Sequence, residues 1–239
     1  MQKKFVSKAL VSAVFAACAA MSSAQAAVID FDGPEIDNLV SSIFAGDESF
    51  SHHGFTLTAL DPFDLKGSAG AIGLPDSCMV VDCPVGAAGN YYLGLNDGAL
   101  AISHGAGLAF KLSSFDASFV APVVAATGDV EFARIVLSGV SGGQTYQTSF
   151  ALPGQGEDNR YHFSSFASLG AFATLNFTEL RISTCLMDVG GDCVADGSRQ
   201  AQFALDNLNV TAVPEPATWG LMALGLVGIG AIRRRQAAR

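Results

Sequence analysis

The chain is poor in positive charge. Its 239 residues include 13 lysines and arginines against 22 aspartates and glutamates, which gives a formal net charge of −9. Such a surface repels nucleic acid and anionic lipid headgroups, so the composition argues against a nucleic-acid partner. Tryptophan is also scarce, because the single one, Trp219, lies near the C-terminus. A sugar-stacking surface elsewhere in the chain would therefore have to use tyrosine or phenylalanine.

Sequence patterns that mark common catalytic sites are missing. There is no His-Glu-x-x-His zinc-protease motif. The glycine-rich stretch 139–143 joins two predicted strands and does not open a helix, so it is a turn and not a phosphate loop. His52 and His53 fall within a predicted strand, where neighbours point to opposite faces, and we expect them not to share a metal. The sequence predicts a protein that is not an enzyme.

The N-terminus has the pattern of an export signal. Three lysines within the first eight residues precede an apolar stretch, 9–20, and Ala24-Gln25-Ala26 is a small-x-small cleavage site. This order is typical of a secretory signal peptide. We therefore predict that residues 1–26 are removed by signal peptidase.

The C-terminus carries a second targeting signal. Val213-Pro214-Glu215-Pro216 is followed by an uncharged apolar run, 217–232, and by a basic tail, 233–239, that begins with Arg233-Arg234-Arg235. Proline prevents a helix from running through the first element. A helix over the apolar run would reach about 24 Å, slightly short of a bilayer core, but its flanking residues can extend that reach. Arginines that follow a span stay cytoplasmic, so the body of the protein is expected outside the inner membrane.

This tail resembles the PEP-CTERM sorting domain of Gram-negative bacteria. The resemblance rests on Val213-Pro214-Glu215-Pro216, the glycine-rich span and Arg233-Arg234-Arg235. It implies recognition by an exosortase, transient residence in the inner membrane, and delivery to the cell surface or the exopolysaccharide matrix. The alternative is an ordinary single-pass anchor with a chance Pro-Glu-Pro sequence.

The remaining residues, 27–212, have the length of one domain. They keep six of the 13 basic residues and 21 of the 22 acidic ones, a formal net charge of −15. They also keep four cysteines, Cys78, Cys83, Cys185 and Cys193. An even number of cysteines in an exported chain predicts disulfides rather than a four-cysteine zinc site. The spacing suggests two local bridges, Cys78–Cys83 and Cys185–Cys193, and all three possible pairings remain open from the sequence.

The body reads as β-structure almost throughout. Short runs rich in Phe, Val, Thr and Leu alternate with Gly, Pro, Asn and Asp, and stretches such as Phe55–Ala59 show a period of two. We predict an all-β fold, a two-sheet antiparallel sandwich of jelly-roll type. Residues 61–90 are predicted to form a long loop or insertion.

The last strand carries a further motif. Residues 202–210 resemble the closing strand of a Gln-Phe-x-x-Asp subgroup of PEP-CTERM proteins and that of many carbohydrate-binding jelly rolls. The apolar pattern changes face at Asp206, which predicts either cover on both sides or a β-bulge. In those jelly rolls the first and last strands pair and an Asp there often helps to hold calcium. The resemblance thus implies a structural calcium site that combines Asp32, Glu35 and Asp206.

Three functions remain open from the sequence. The first is an exported, non-catalytic component of the cell surface or biofilm matrix. The second is a carbohydrate-binding module that contacts exopolysaccharide, for which Tyr91 and Tyr92 are the best candidate sugar platform. The third is a secreted polysaccharide hydrolase, although nothing marks its carboxylates.

Overall fold

The body of the protein is a sandwich of two antiparallel sheets, as the alternating pattern predicts. The computed structural model describes residues 26–75, 77–78, 83–120, 133–167, 170–188, 190–194, 197–213 and 220. The compact unit that contains both sheets runs from Gln25 to Val213. Among the described residues no helix has the length and apolar character that a membrane crossing requires. Of the predicted span 217–232, only Gly220 is described.

The first sheet is built around the last strand of the chain. The strands of this sheet are β1 (Ala26–Ile29), β2 (Ile43–Ala45), β5 (Ser68–Gly73), β6 (Tyr91–Gly94), β8 (Ala109–Phe119), β11 (Ser164–Ala167) and β14 (Phe203–Val213). They lie side by side in the order β11, β8, β14, β6, β5 and β2, and β1 also pairs with β14. The first and last strands therefore pair, as they do in the jelly rolls that the sequence resembles.

The second sheet covers the first. Its strands are β3 (Ser49–His52), β4 (Phe55–Leu60), β7 (Ala99–His104), β9 (Ala133–Ser141), β10 (Gln144–Leu152), β12 (Glu179–Met187) and β13 (Cys193–Val194). They lie in the order β10, β9, β12, β7, β4 and β3, and β13 pairs with β12. A short helix, α1 (Pro34–Asp37), follows β1, and a 3₁₀ turn, Gly170–Thr174, precedes β12.

Aromatic side chains join the two sheets. Phe55 of β4 meets Phe110 of β8 edge to face at a centroid distance of 5.3 Å, and Phe115 of β8 meets Phe150 of β10 at 5.7 Å. Edge-to-face pairs of this kind add stabilisation to the burial of the rings themselves. In β4 the residues Phe55, Leu57 and Ala59 are buried and the residues between them are partly exposed, which confirms the period of two.

Strand β14 contains the irregularity that its sequence predicts. Its pairing with β8 shifts register between Asp206 and Asn209 and again between Asn209 and Val210, and Asn207 has a positive φ of 50°. This β-bulge lets residues on both sides of it face the core. Leu205, Leu208 and Val210 are accordingly all buried.

Both predicted disulfides are present. Cys78 pairs with Cys83 and Cys185 pairs with Cys193. The second bridge ties β13, only two residues long, to its neighbour β12. The prediction of one long loop over residues 61–90 needs correction, because β5, with the sequence Ser-Ala-Gly-Ala-Ile-Gly, lies inside it. Small residues suit this strand because a Cβ at Gly70 would overlap the Tyr92 ring.

Candidate functional site

One edge of the sandwich gathers two histidines and two carboxylates. Asp30 directly follows β1 and Glu35 lies in α1, while His52 ends β3 and His53 begins the turn to β4. His52 Nε2 lies 3.0 Å from Asp30 Oδ1, and His53 Nε2 lies 3.6 Å from the same oxygen. His52 Nδ1 lies 3.5 Å from Glu35 Oε2. We call Asp30, Glu35, His52 and His53 the histidine cluster.

The expectation that His52 and His53 cannot converge is wrong. Residues 53 and 54 form a two-residue hairpin turn with φ values of 48° and 82°, and β3 pairs with β4 on either side of it. The strand therefore ends at His52, and the alternation of faces does not continue to His53. The two imidazole centroids lie only 4.0 Å apart. The apolar pattern of the sequence does contain a signal for this turn. The buried aromatic residue before the turn, Phe50, has an even number, whereas the one after it, Phe55, has an odd number, so the buried face changes between the two strands.

His52 is buried at the base of the cluster. It is 1% exposed, and its ring lies beside that of Phe31 at a centroid distance of 6.4 Å. Its Nδ1 atom is buried and has no hydrogen-bond partner. Burial acts to raise the pKa of Asp30, but the hydrogen bond with His52 and that from the backbone N–H of Asp32 outweigh burial and hold this pKa below its ordinary value.

A second group of carboxylates surrounds the bulge in β14. Asp206 is 3% exposed, and its Oδ1 accepts a hydrogen bond of 2.7 Å from the backbone N–H of Asn207. Burial, together with the negative charges of Asp116, Asp32 and Asp30, raises the pKa of Asp206 to about 7. Like charges that crowd a buried carboxyl favour its protonated form, and a bound cation would favour its ionised form.

The structure separates one residue of the predicted calcium site, Glu35, from the other two, Asp32 and Asp206. The charge of Asp32 acts on Asp206, and Asp32 Oδ1 accepts a 2.9 Å hydrogen bond from the backbone N–H of Asn90. The carboxylate of Glu35 lies instead against the histidines, and it also accepts a hydrogen bond of 3.4 Å from the backbone N–H of His53. The calcium hypothesis therefore continues for Asp32 and Asp206, with Asp116 and Asp30 as neighbours that sequence reasoning did not name.

The predicted sugar platform is inside the protein. Tyr91 and Tyr92 of β6 are both 0% exposed, so neither ring can stack on a glycan, and this assignment is corrected. Tyr91 packs edge to face on Phe163 at 5.4 Å, and Tyr92 lies between Phe31 and Phe203. Burial raises the pKa of Tyr91 to about 12, against the opposing charge of Arg160. Both tyrosines are core residues because β6 is covered on both faces, as its fully buried pattern shows.

Most named residues of the two predicted targeting signals, at the N-terminus and at the C-terminus, lie outside the described part of the chain. These are Ala24, Pro214, Glu215, Pro216, Arg233, Arg234 and Arg235. Ala26 and Val213, at the two predicted boundaries, are the first residue of β1 and the last residue of β14. Removal of residues 1–26 would leave three of the four β1 pairs, since Ala27, Val28 and Ile29 pair with Val210, Asn209 and Leu208.

Comparison with known proteins identifies the C-terminal targeting signal. Residues 212–235 match the PEP-CTERM protein-sorting motif. The motif implies an exported protein that is anchored transiently in the membrane and processed by an exosortase. No curated protein sequence matches the chain.

Solved structures offer only distant similarity. A DUF4465 family protein from Bacteroides caccae aligns with a TM-score of 0.47 and 11% identity over 80% of this chain and 100% of that one. A cyclase from Fischerella sp. TAU aligns with a TM-score of 0.35 and 12% identity over 80% and 100% of the two chains. The enzymatically active domain of bacteriophage CBA120 tailspike protein 4 aligns with a TM-score of 0.26 and 10% identity over 73% of this chain and 22% of that one. At these TM-scores none of the three supports an assignment of function.

Proposed function

We propose that the protein is a non-catalytic component of the cell surface or exopolysaccharide matrix of a Gram-negative bacterium, delivered there by exosortase processing. The observation that carries the proposal is the position of the sorting motif. It begins at residue 212, and the last strand of the sandwich ends at Val213. Cleavage near Pro-Glu-Pro would therefore release the whole sandwich without removing a strand.

Two properties of the body of the protein fit a location outside the inner membrane. Its disulfides, Cys78–Cys83 and Cys185–Cys193, are of the kind that persist in oxidising compartments. Its formal net charge of −15 over residues 27–212 favours solubility and contact with divalent cations or basic partners. Both properties support export.

The alternatives need different chemistry. A carbohydrate-binding module remains a second proposal, but it can no longer rest on Tyr91 and Tyr92, which are buried. Among the described residues, Phe63 and Tyr146 are aromatic side chains that are each 37% exposed, and they are the ones to test for glycan contact. A secreted hydrolase would require carboxylates whose separate replacement abolishes activity on a polysaccharide.

The sorting proposal is tested with Glu215→Ala in a bacterium that encodes an exosortase. We expect the parent protein to reach the surface or matrix with both termini removed. The variant should stay in the inner membrane with its C-terminus intact, because the Pro-Glu-Pro motif is no longer recognised. Intact mass and cell fractionation measure both properties. Glu157→Ala, which changes an exposed glutamate in the body, is the matched control and should behave as the parent does.

Two results would contradict this proposal. One is a parent protein recovered at full length from the cytosol with free thiols. The other is a Glu215→Ala variant that is processed and delivered as well as the parent. Turnover of a polysaccharide by the delivered protein, lost on single carboxylate replacement, would replace the non-catalytic function with the hydrolase.

A further inference from the structure

We propose that the histidine cluster is a binding site for a divalent transition-metal ion of the zinc class. Asp30, His52 and His53 would be the ligands, and Glu35 would orient His52 by accepting a hydrogen bond from its Nδ1. One ligand atom from each of the three residues lies within 4.8 Å of the other two. The proposal concerns the body of the protein and is independent of how the chain is sorted.

The distances already approach those of a metal centre. Zinc binds imidazole nitrogen and carboxylate oxygen at about 2.0–2.2 Å, so two ligand atoms of a tetrahedral site lie about 3.3–3.5 Å apart. Asp30 Oδ1 lies 3.0 Å from His52 Nε2 and 3.6 Å from His53 Nε2. These two distances lie on either side of the tetrahedral value. An ion could thus be bound with side-chain shifts of a few tenths of an ångström along these two edges.

The orphaned nitrogen of His52 has a use in such a site. A neutral imidazole that binds metal through Nε2 carries its proton on Nδ1, and ligand histidines usually donate this proton to a carboxylate or carbonyl. His52 Nδ1 is buried without a hydrogen-bond partner, and Glu35 Oε2 lies 3.5 Å from it. A small approach of Glu35 would complete the carboxylate–histidine–metal arrangement. The two carboxylates on opposite sides of His52 then have separate roles.

The backbone at His53 supports the same conclusion. Its φ of 48° is in the left-handed region, which Asn, Asp and His adopt more readily than most other non-glycine residues. The turn directs a half-exposed imidazole, 48% accessible, onto the Asp30 oxygen that His52 also contacts.

The ligand chemistry selects the class of metal. Two imidazoles and one carboxylate suit zinc, nickel or copper, whereas calcium requires six to eight oxygens. Three protein ligands leave a fourth position for water or for a group from a partner. This position is open to solvent because the side chains of Asp30 and His53 are 37% and 48% exposed.

The test uses the full-length chain in detergent after removal of metals with a chelator. Zinc is titrated by calorimetry, and cobalt is added as a spectroscopic probe of tetrahedral coordination. We expect one ion per chain, visible cobalt absorption of tetrahedral type, and a rise in melting temperature with zinc. Excess calcium should not displace either metal.

His53→Asn is the decisive variant because Asn tolerates a positive φ and preserves the turn. Loss of the hydrogen-bond partner of a ligand alone costs about 10–100-fold in metal affinity, so loss of a ligand itself should weaken zinc binding at least about 100-fold. His162→Asn is the matched control. It removes another half-exposed histidine that contacts a carboxylate, Asp158, at 2.9 Å. Because the two sites are independent, its zinc affinity should stay within about twofold of the parent value.

Three outcomes would overturn the proposal. The parent could bind no zinc, His53→Asn could bind zinc as the parent does, or calcium could compete equally with zinc. If His53→Asn does not fold, Asp30→Asn provides the same test, since an amide retains the shape of the ligand and loses its charge. Zinc binding by Asp30→Asn with the affinity of the parent would count equally against the site.

Discussion

Asp206 is a buried carboxyl group on which the charges of other carboxylates act. It is 3% exposed, and the negative charges of Asp116, Asp32 and Asp30 add to the effect of burial on its pKa. A folded-state pKa of about 7, against an ordinary value of 3.8, means that the folded protein binds a proton which the unfolded chain has released. Between about pH 4 and pH 7 the free energy of unfolding therefore falls as the pH rises.

Asp206→Asn is expected to remove this pH dependence. Its free energy of unfolding, relative to that of the parent, should increase from pH 4 to pH 8 by up to about 4 kcal/mol, since each unit of pKa shift corresponds to about 1.4 kcal/mol. Denaturant unfolding in the presence of a chelator measures the difference at each pH. Asp37→Asn, at an exposed position of α1, serves as the control and should follow the parent. An Asp206→Asn curve parallel to that of the parent would contradict the shifted pKa.

At the scale of elements, β13 depends on a covalent bond. The strand has two residues, Cys193 and Val194, which pair with Met187 and Leu186 of β12. Two pairs cannot hold a separate strand, because hydrogen bonds contribute little net free energy and the loop must be ordered. The Cys185–Cys193 bridge, with a sequence separation of 8, restricts this loop in the unfolded chain.

The double variant Cys185→Ala, Cys193→Ala should lower the free energy of unfolding by about 2.5 kcal/mol under oxidising conditions, as expected for closure of a loop of this length. Denaturant unfolding gives the value. The same measurement with a reductant is the internal control, because the parent then also loses its bridge and the difference should shrink. Equal stability of the two proteins under oxidising conditions would show that the bridge contributes nothing to the fold.

At the scale of the whole molecule, the excess negative charge opposes folding. Residues 27–212 carry a formal net charge of −15, and self-repulsion at such a charge destabilises the compact state. Salt screens this repulsion, with a Debye length of about 10 Å at 0.1 M ionic strength.

The melting temperature should consequently rise by a few degrees as sodium chloride increases from about 0.01 M to 0.15 M, since about 1 kcal/mol corresponds to about 2–4 °C for a protein of this size. Calorimetry in chelator records the shift. Potassium chloride at equal ionic strength should act equally if the effect is screening. A melting temperature that falls with salt would mean that attractive ion pairs outweigh the repulsion.

The strands were predictable wherever one face is buried and the other is wet. The period of two in Phe55, Leu57 and Ala59 predicts β4, and the change of face at Asp206 predicts either cover on both sides of β14 or the bulge that is present there. Strand β5 was not predictable, because glycine and alanine carry a weak strand preference and are accepted here only to make room for rings such as Tyr92. The burial of Tyr91 could not be predicted from the sequence either. Its strand, β6, is covered on both faces and therefore lacks the alternation of polar and apolar residues that indicates which face is buried.

Short stretches of the sequence indicate an all-β sandwich, two closely spaced pairs of cysteines and the sorting motif at residues 212–235. These features depend on residue types and spacings within short stretches, so local pattern is enough to define them. The folded chain shows which cysteines pair. The convergence of Asp30, Glu35, His52 and His53 also appears only in the folded chain. Their meeting requires the end of β1 to lie beside the β3–β4 turn and His53 to adopt a positive φ. Contacts between residues some 20 positions apart follow from the packing of strands, which no local pattern encodes.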